Sequence, residues 1–189
     1  MNIIDKFHNW RRKQRWNRQY KSGRWDNLKG EKETIRYQRI IKYIDDFGTK
    51  KPKILDLGCG EGILCERMKN SDYSSFLGMD FSSVSIERAK QLKLKDADFI
   101  CADIHNFKPA EKFDVIIFNE VFYYIHESEK QNVLDRMIAS LTDNGIIITS
   151  IYREGHGCWN YFEDLNQLAF DTVTTDDEKR YWKVGVYKK

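Results

Sequence analysis

From residue 53 onward, short runs of apolar residues alternate with segments whose apolar residues recur at helical spacing. The short runs are rich in branched apolar residues, which is typical of buried β-strands. We therefore predict five strands, at Lys53–Leu57, Ser75–Asp80, 98–103, Phe113–Asn119 and 145–152. Helices are predicted at 63–69, from Ser82 or Ser83 to about Leu94, and at 127–141. Such alternation indicates an α/β fold built on a parallel sheet.

The pattern changes after the fifth predicted strand. Residues 159–169 have the spacing of a short helix, and the apolar segments 170–174 and 181–187 are predicted to be strands. Only six polar residues, 175–180, separate these two strands, so they must be antiparallel neighbours. The complete prediction is a single-domain, mostly parallel seven-stranded sheet with helices on both faces and an antiparallel C-terminal strand pair.

Length and composition limit the possible protein classes. A chain of 189 residues fits one domain with a full hydrophobic core. No apolar run approaches the roughly 18 residues that a membrane span needs, and residues 1–8 lack the apolar region of a signal peptide. The sequence therefore predicts a cytoplasmic protein. The four cysteines have no Cys-x-x-Cys spacing, which favours reduced cysteines over disulfides or a zinc site.

Positive charge is concentrated near the N-terminus. Residues 1–53 contain 16 Lys and Arg against 6 Asp and Glu, whereas the remaining residues contain 16 against 23. Within this region, residues 10–25 interleave basic and aromatic side chains. Such a stretch can bind nucleic acid, lie on an anionic membrane, stack on sugar rings, or pack as a basic helix on the acidic remainder of the chain.

Residues 54–62 read Ile-Leu-Asp-Leu-Gly-Cys-Gly-Glu-Gly, a short strand that enters a glycine-rich turn. Glycines at 58, 60 and 62 allow a sharp turn and leave main chain exposed to a ligand. Their spacing differs from the Gly-x-Gly-x-x-Gly of dinucleotide sites. A carboxylate at Asp56 disfavours a pyrophosphate and favours a ligand that carries an ammonium or sulfonium group.

This strand and turn resemble the first motif of the class I S-adenosylmethionine-dependent methyltransferases, with every position matched. The resemblance extends over about residues 35–189 and is closest to members that act on small molecules. It implies a Rossmann-like seven-stranded fold, S-adenosyl-L-methionine as the methyl donor and S-adenosyl-L-homocysteine as the product.

Polar residues end four of the predicted strands, at the edge of the sheet where open α/β folds bind ligands. The resemblance implies that Asp56 holds the donor's amino group, that Asp80 accepts from both ribose hydroxyls, and that Asp103 accepts from the adenine amine. It also gives adenine contacts to Phe81 and Ile104, and places Asn119 beside the methionine moiety. The predicted cofactor-binding residues are Asp56, Gly58, Cys59, Gly60, Asp80, Phe81, Asp103, Ile104 and Asn119.

After the fourth predicted strand, residues 119–124 read Asn-Glu-Val-Phe-Tyr-Tyr. They lack the prolines of methyltransferases that act on nucleic-acid base amines, and resemble small-molecule enzymes, including those acting on sugars and on chito-oligosaccharide amines. Tyr123 and His126 are the predicted catalytic residues, able to orient the acceptor or take its proton. Packing at the top of the sheet for Tyr123, and a surface position for His126, stay open as alternatives.

The resemblance also implies that residues 1–34 form a helical lid or substrate cap, followed by a methyltransferase domain at 35–189. Predicted substrate-binding residues are Trp25, Tyr37, Tyr124, Tyr152 and His156. No catalytic metal is expected, because Glu154 is the only acid near the loop after the fifth strand. The chain is expected to be a monomer or a homodimer.

The predicted function is methyl transfer to an oxygen or nitrogen of a small polar acceptor, with a sugar or glycan precursor as the favoured class. Two alternatives remain. One is an RNA methyltransferase that uses the basic N-terminal segment, with nucleic acid as a less favoured partner. The other is a partner subunit that binds the cofactor without catalysing transfer.

Overall fold

Seven strands form one sheet in the order β3-β2-β1-β4-β5-β7-β6. This computed structural model describes the backbone of residues 3–189 and the side chains of residues 10–189. The strands are β1 (Lys53–Leu57), β2 (Ser75–Asp80), β3 (Ala97–Cys101), β4 (Phe113–Asn119), β5 (Leu141–Tyr152), β6 (Asn166–Thr174) and β7 (Tyr181–Lys188). The helices are α1 (Ile3–Lys21), α2 (Glu31–Phe47), α3 (Ile63–Arg67), α4 (Ser83–Gln91) and α5 (Lys130–Ala139).

The first five strands are parallel, so their carboxyl ends meet at one edge of the sheet. β1 pairs in parallel with both β2 and β4, while β3 and β5 extend the parallel part on either side. β7 runs antiparallel between β5 and β6. The predicted mostly parallel seven-stranded sheet with an antiparallel C-terminal pair is confirmed.

The central strand β4 is apolar on both faces because helices cover both. Val115 and Ile117 belong to a buried cluster with residues of α2, α3 and α4. Ile116 and Phe118 belong to the cluster on the opposite face, which includes residues of α5. Parallel strands that are covered on both faces are apolar throughout, as the sequence pattern of β4 indicated.

Two parts of the predicted pattern are wrong in type or extent. Residues 159–169 are not one helix, because a 3-10 segment occupies Gly155–Phe162 and β6 begins at Asn166. His156 and Gly157 have φ values of 47° and 79°, which interrupt a regular helix, and residues 166–169 pair with β7. The helix predicted at 127–141 is a 3-10 turn at Glu127–Glu129 followed by α5, and Leu141 already begins β5.

The N-terminal segment lies against the carboxyl edge of the sheet. Asn17 of α1 accepts a hydrogen bond from the hydroxyl of Ser82 at 2.7 Å and donates one to the hydroxyl of Ser83 at 3.3 Å. Ser82 is also the N-cap of α4, where its side chain accepts from the N–H of Ser85. The expected boundary between residues 34 and 35 lies inside the continuous helix α2.

In the described part of the chain, none of the helices combines the length and apolar character that crossing a bilayer requires. The cytoplasmic location stays a prediction.

We predict that Ile117→Ala lowers the free energy of unfolding by about 2 to 5 kcal/mol, because it leaves a cavity in a fully buried central strand. The matched control is Ile35→Ala on α2, where the side chain is 41% exposed and the loss should stay within about 0.5 kcal/mol. Urea titration followed by circular dichroism measures both. Equal losses for the two variants would contradict the assigned core.

Candidate functional site

A cavity of about 900 Å³ opens at the carboxyl edge of the sheet. Its floor comes from residues that end β1, β2 and β4, and its walls come from α1, α2 and the turn between them. The cavity therefore lies where open α/β sheets bind their ligands.

The glycine loop after β1 is held against β2 through its own N–H groups. Those of Gly58 and Cys59 both donate to the carbonyl of Met79, at 2.8 and 2.9 Å. The N–H of Gly60 donates to the Asp80 carboxylate at 3.0 Å. Because these three donors are already bonded, the loop is not arranged like the N–H cradles that bind phosphate.

Gly58 and Gly60 meet two separate requirements in this loop. Both have positive φ, 72° and 57°, which side chains other than glycine rarely adopt. A Cβ on Gly58 would lie 2.6 Å from Val121, and one on Gly60 would lie 3.0 Å from the hydroxyl of Tyr20 on α1. The main chain of the loop is therefore closely approached by the segment that follows β4 and by the N-terminal segment.

Asp80 at the end of β2 is a buried carboxylate that organises this edge. Its second oxygen accepts from the N–H of Ser82 at 2.7 Å, in addition to the bond from Gly60. Burial raises the pKa of Asp80, and the backbone donors at Ser82 and Gly60 partly offset that effect. One side chain thus joins the glycine loop to the start of α4.

Asp56 in β1 is a buried carboxyl group with an uncompensated oxygen. The residue belongs to the lining of the cavity, and its Oδ1 has no hydrogen-bond partner among the described residues. Burial raises the pKa of Asp56 to about 8, with repulsion from Asp80 adding to the shift and the charge of Arg36 opposing it. A buried acceptor without a donor is costly, so the site is complementary to a cationic or hydrogen-donating ligand.

The end of β3 supplies a second polar group and an apolar surface. Asp103 lies two residues beyond the strand, and its carboxylate accepts from the N–H of His105 at 3.1 Å and contacts the His105 ring nitrogen at 2.6 Å. Although burial acts in the opposite direction, His105 holds the pKa of Asp103 below its ordinary value. Phe81 and Ile104 line the same part of the cavity, and the guanidinium of Arg12 lies 5.5 Å from the Phe81 ring centroid.

A buried arginine from α2 enters the centre of the site. Arg36 is 1% exposed and donates hydrogen bonds to the side-chain oxygen of Asn119 and, at 2.9 Å, to Glu33. Its guanidinium also lies 4.4 Å from the ring centroid of Tyr37. Arg36 therefore fixes the side-chain oxygen of Asn119, and both residues line the cavity.

The residues after β4 form the opposite end of the cavity. Glu120 accepts from the hydroxyl of Tyr123 at 2.9 Å and from the hydroxyl of Ser150 at 3.1 Å. Burial raises the pKa of Glu120 to about 7, while Arg36 and the two hydroxyl donors oppose the shift. This end of the cavity therefore presents a carboxyl group that can gain or lose a proton near neutral pH.

Aromatic rings close the mouth of the cavity. Trp16 of α1 stacks on Trp25 with 5.4 Å between ring centroids, and its edge contacts Tyr124 at 5.1 Å. Tyr20 lies beside Trp25 at 6.3 Å. Basic and aromatic residues of the N-terminal segment thus face the site as well as solvent.

Most of the predicted site residues come together around this cavity, and two do not. All nine predicted cofactor-binding residues line the cavity. So do five of the predicted catalytic and substrate-binding residues, Tyr123, Trp25, Tyr37, Tyr124 and Tyr152. The contribution of each residue to binding stays a prediction. His126 is exposed, hydrogen-bonded to Ser128, and His156 lies on the exposed loop after β5. Neither histidine is among the residues that line the cavity.

Sequence reasoning missed Arg36, Glu120, Trp16 and Tyr20 as site residues. A signal existed for Arg36, since Glu33, Arg36, Tyr37, Ile40 and Ile44 share one buried face of α2 at helical spacing. Glu120 directly follows Asn119, which is one of the predicted cofactor-binding residues. Trp16 and Tyr20 carried no such signal, because the position of α1 depends on tertiary contacts.

Among the side chains of residues 10–189, no group of three or more His, Cys, Asp and Glu is arranged to hold a metal ion.

Comparison with known proteins identifies the family. A family model described as a methyltransferase domain matches residues 49–184. The malonyl-[acyl-carrier protein] O-methyltransferase 1 of Ilyobacter polytropus is 30% identical over 164 residues, which are 81% of this chain and 57% of that protein. The ubiquinone biosynthesis O-methyltransferase of Bradyrhizobium diazoefficiens is 29% identical over 61% of this chain and 45% of its own length. The chain thus spans about half the length of these curated relatives.

A solved structure shares the fold. The N-methyltransferase NodS from Bradyrhizobium japonicum WM9, in complex with S-adenosyl-L-homocysteine, superimposes with a TM-score of 0.74 at 18% identity, over 87% of this chain and 91% of that one. The resemblance to class I methyltransferases inferred from the glycine loop is confirmed. Since the family model covers most of the sequence and the fold agrees, the chain belongs to the methyltransferase domain family of S-adenosylmethionine-dependent enzymes.

Proposed function

We propose that this chain transfers a methyl group from S-adenosyl-L-methionine to an oxygen or nitrogen atom of a small polar acceptor. The observation that carries the proposal is the buried Asp56 carboxyl, which lines the cavity just before the glycine loop and has one oxygen without a hydrogen-bond partner among the described residues. A ligand with an ammonium group satisfies that oxygen, whereas a phosphate would be repelled by it.

The residues present fit this methyl donor in size and in charge. A cavity of about 900 Å³ is within the usual range for a cofactor site. Three N–H groups of the glycine loop are already bonded to acceptors of β2 and are not available to a bound phosphate. Asp56 and Asp80 supply acceptors for an amino group and for hydroxyls, and Phe81 supplies an apolar surface for a planar ring.

The proposed roles follow the order of the strands. Asp56 and the glycine loop hold the amino-acid portion of the donor, Asp80 holds the ribose, and Asp103 with Phe81 and Ile104 holds the adenine. Asn119, fixed by Arg36, borders the reacting end. We assign residues 1–34 the role of a lid, in which Trp16 and Trp25 exclude water from the cavity.

When bound, the donor supplies a methyl carbon already activated by a positively charged sulfur. The chain's own residues therefore need to align the acceptor and exclude water more than to activate the methyl group. Tyr123 and Tyr124, which lie 4.6 Å apart between ring centroids, form a surface that can orient the acceptor beside Asn119.

A sugar or glycan precursor is the acceptor class that we favour. Support comes from the resemblance of residues 119–124 to enzymes that act on sugars and sugar amines, and from the aromatic mouth formed by Trp16, Trp25 and Tyr124. The named relatives are O-methyltransferases and the structural neighbour is an N-methyltransferase. The proposal therefore includes both oxygen and nitrogen as the methylated atom of the acceptor.

The acceptor class can be tested with radiolabelled S-adenosyl-L-methionine and fractionated cell lysate. We expect the label to enter the small-molecule or glycan fraction. Label in the RNA fraction, together with salt-sensitive RNA binding, would contradict this proposal and indicate an RNA methyltransferase. Binding of S-adenosyl-L-homocysteine without label in any fraction would indicate a binding subunit.

We predict that Asp80→Asn weakens binding of S-adenosyl-L-homocysteine by about 1.5 to 3 kcal/mol, which is roughly 10- to 150-fold, because a charged acceptor for the ribose is lost. Isothermal titration calorimetry measures the affinity. The control is Asp98→Asn, which changes an exposed carboxylate on β3. Unchanged affinity in a folded Asp80→Asn variant would remove Asp80 from the site.

The raised pKa of Asp56 predicts a pH dependence of stability. Its pKa is about 8 in the folded chain against 3.8 as the ordinary value, so the folded state holds a proton that the unfolded state lacks between those limits. The free energy of unfolding should therefore fall as the pH rises from about 4 to about 8. Urea titrations across this range should show a smaller decrease for Asp56→Asn than for the wild type.

The same group should release a proton when the ligand binds. An ammonium group beside Asp56 favours the charged carboxylate, so binding of S-adenosyl-L-homocysteine at pH 7 should release up to about one proton. Calorimetry in two buffers of different ionisation enthalpy measures this number. Equal proton release in the wild type and in Asp56→Asn would show that Asp56 does not meet the ligand.

A further inference from the structure

Glu120 has an unusual backbone conformation at the boundary between the donor and acceptor ends of the cavity. Its φ is 57°, a value that residues other than glycine seldom adopt. Its N–H donates to the carbonyl of Ser150 at 3.0 Å, which fixes the turn after β4. Backbone conformations of this kind cost free energy and concentrate at functional sites. Here the turn places Glu120 in the lining of the cavity.

Two hydroxyl groups hold that carboxyl group without using its full capacity. Tyr123 donates to Oε2 at 2.9 Å and Ser150 donates to Oε1 at 3.1 Å. An ionised carboxylate offers about four acceptor positions, so two donors leave room for another. Both donors are anchored, Ser150 in the buried strand β5 and Tyr123 in the 3-10 segment Phe122–Tyr124.

The charged groups that act on Glu120 are two residues of α2. α2 contributes Arg36, which favours the charged carboxylate, and Glu33, which disfavours it. Burial has the largest effect and brings the pKa of Glu120 to about 7. A base is most effective when its pKa lies near the working pH, since it is then available and still able to take a proton.

We infer that Glu120 is the catalytic base that receives the acceptor's proton, so that the acceptor reacts through a hydroxyl or an amine and not through a carboxylate. This role rests on the proposed function. The acceptor's heteroatom forms the new bond to the methyl carbon, the methyl–sulfur bond breaks, and its electron pair stays on sulfur. The proton of the former O–H or N–H bond passes to Glu120.

The carboxyl groups at this end of the cavity also select against an anionic nucleophile. A carboxylate acceptor has no proton to give, and it would meet Glu120 and Glu33 in a poorly solvated site where like charges repel strongly. A hydroxyl or an ammonium group instead donates to the free positions on Glu120. The inferred acceptor therefore differs in chemistry from a free carboxylic acid.

The test uses sinefungin, an analogue of the methyl donor in which an amine-bearing carbon replaces the methyl-bearing sulfur. Calorimetry compares its affinity with that of S-adenosyl-L-homocysteine, which lacks the amine. At pH 8 we expect the wild type to favour sinefungin, and Glu120→Gln to reduce this preference by about tenfold or more, because a charge-assisted hydrogen bond is lost. The affinity for S-adenosyl-L-homocysteine should stay within about twofold in the variant.

The preference for sinefungin over S-adenosyl-L-homocysteine should also depend on pH, which would not be expected if Glu120 had only a structural role. In the wild type it should rise from pH 6 to pH 8 as Glu120 ionises, whereas effects of Asp56 cancel because both ligands carry the same amino-acid portion. Tyr123→Phe removes a donor to Glu120 and should move the midpoint of this rise to higher pH. These two measurements decide the question even if Glu120→Gln does not fold.

The control is Glu87→Gln, which makes the same substitution at an exposed position on α4 and should leave both affinities unchanged. If S-adenosyl-L-homocysteine binds but the preference is the same in Glu120→Gln and flat with pH, the role of Glu120 is wrong while the proposed function stands. If the wild type binds neither ligand, the proposed function fails and the role of Glu120 fails with it.

Discussion

Buried carboxyl groups outnumber buried cationic groups at one edge of the sheet, and this imbalance determines which ligands the cavity can hold. Asp56, Asp80 and Glu120 line the same cavity, and burial raises the pKa of all three. Arg36 is the buried guanidinium among them, and it already bonds to Glu33 and Asn119. Since like charges repel strongly in a poorly solvated site, the cavity must hold protons or a cationic ligand. A sulfonium donor with an ammonium group answers that requirement.

The same charge pattern explains why the glycine loop is built differently from a phosphate-binding loop. Its N–H groups turn toward β2, where Met79 and Asp80 accept them, so the positive ends of those dipoles stabilise the protein's own acceptors. Glu61 in the loop forms ion pairs with Lys29 and Arg88. Although burial acts to raise it, these partners hold the pKa of Glu61 below its ordinary value. These two ion pairs thereby connect the glycine loop to the N-terminal segment and to α4.

Local patterns were enough to predict the strands and the glycine loop, because a strand–turn–helix unit depends on a few adjacent residues. They failed at 159–169, where a short apolar segment suits either a helix or a strand. Pairing with β7 decided that residues from Asn166 onward are β6. Local patterns also failed at His126, which was predicted to be catalytic and is exposed to solvent. The backbone path over a few residues determines which side chains after β4 line the cavity, and the sequence pattern does not show that path.

The sequence by itself determined the part of the cavity that the strand ends form. Asp56, the glycines and Asp80 are placed by their positions at strand ends, and parallel pairing brings strand ends together whatever covers them. Only the tertiary structure decided the part of the cavity that the helices form, where Trp16 and Arg36 come from segments distant in sequence from the strand ends. The packing of α1 and α2 across the edge of the sheet selects which of their side chains face the cavity. No local spacing encodes that choice, because it depends on contacts between distant segments.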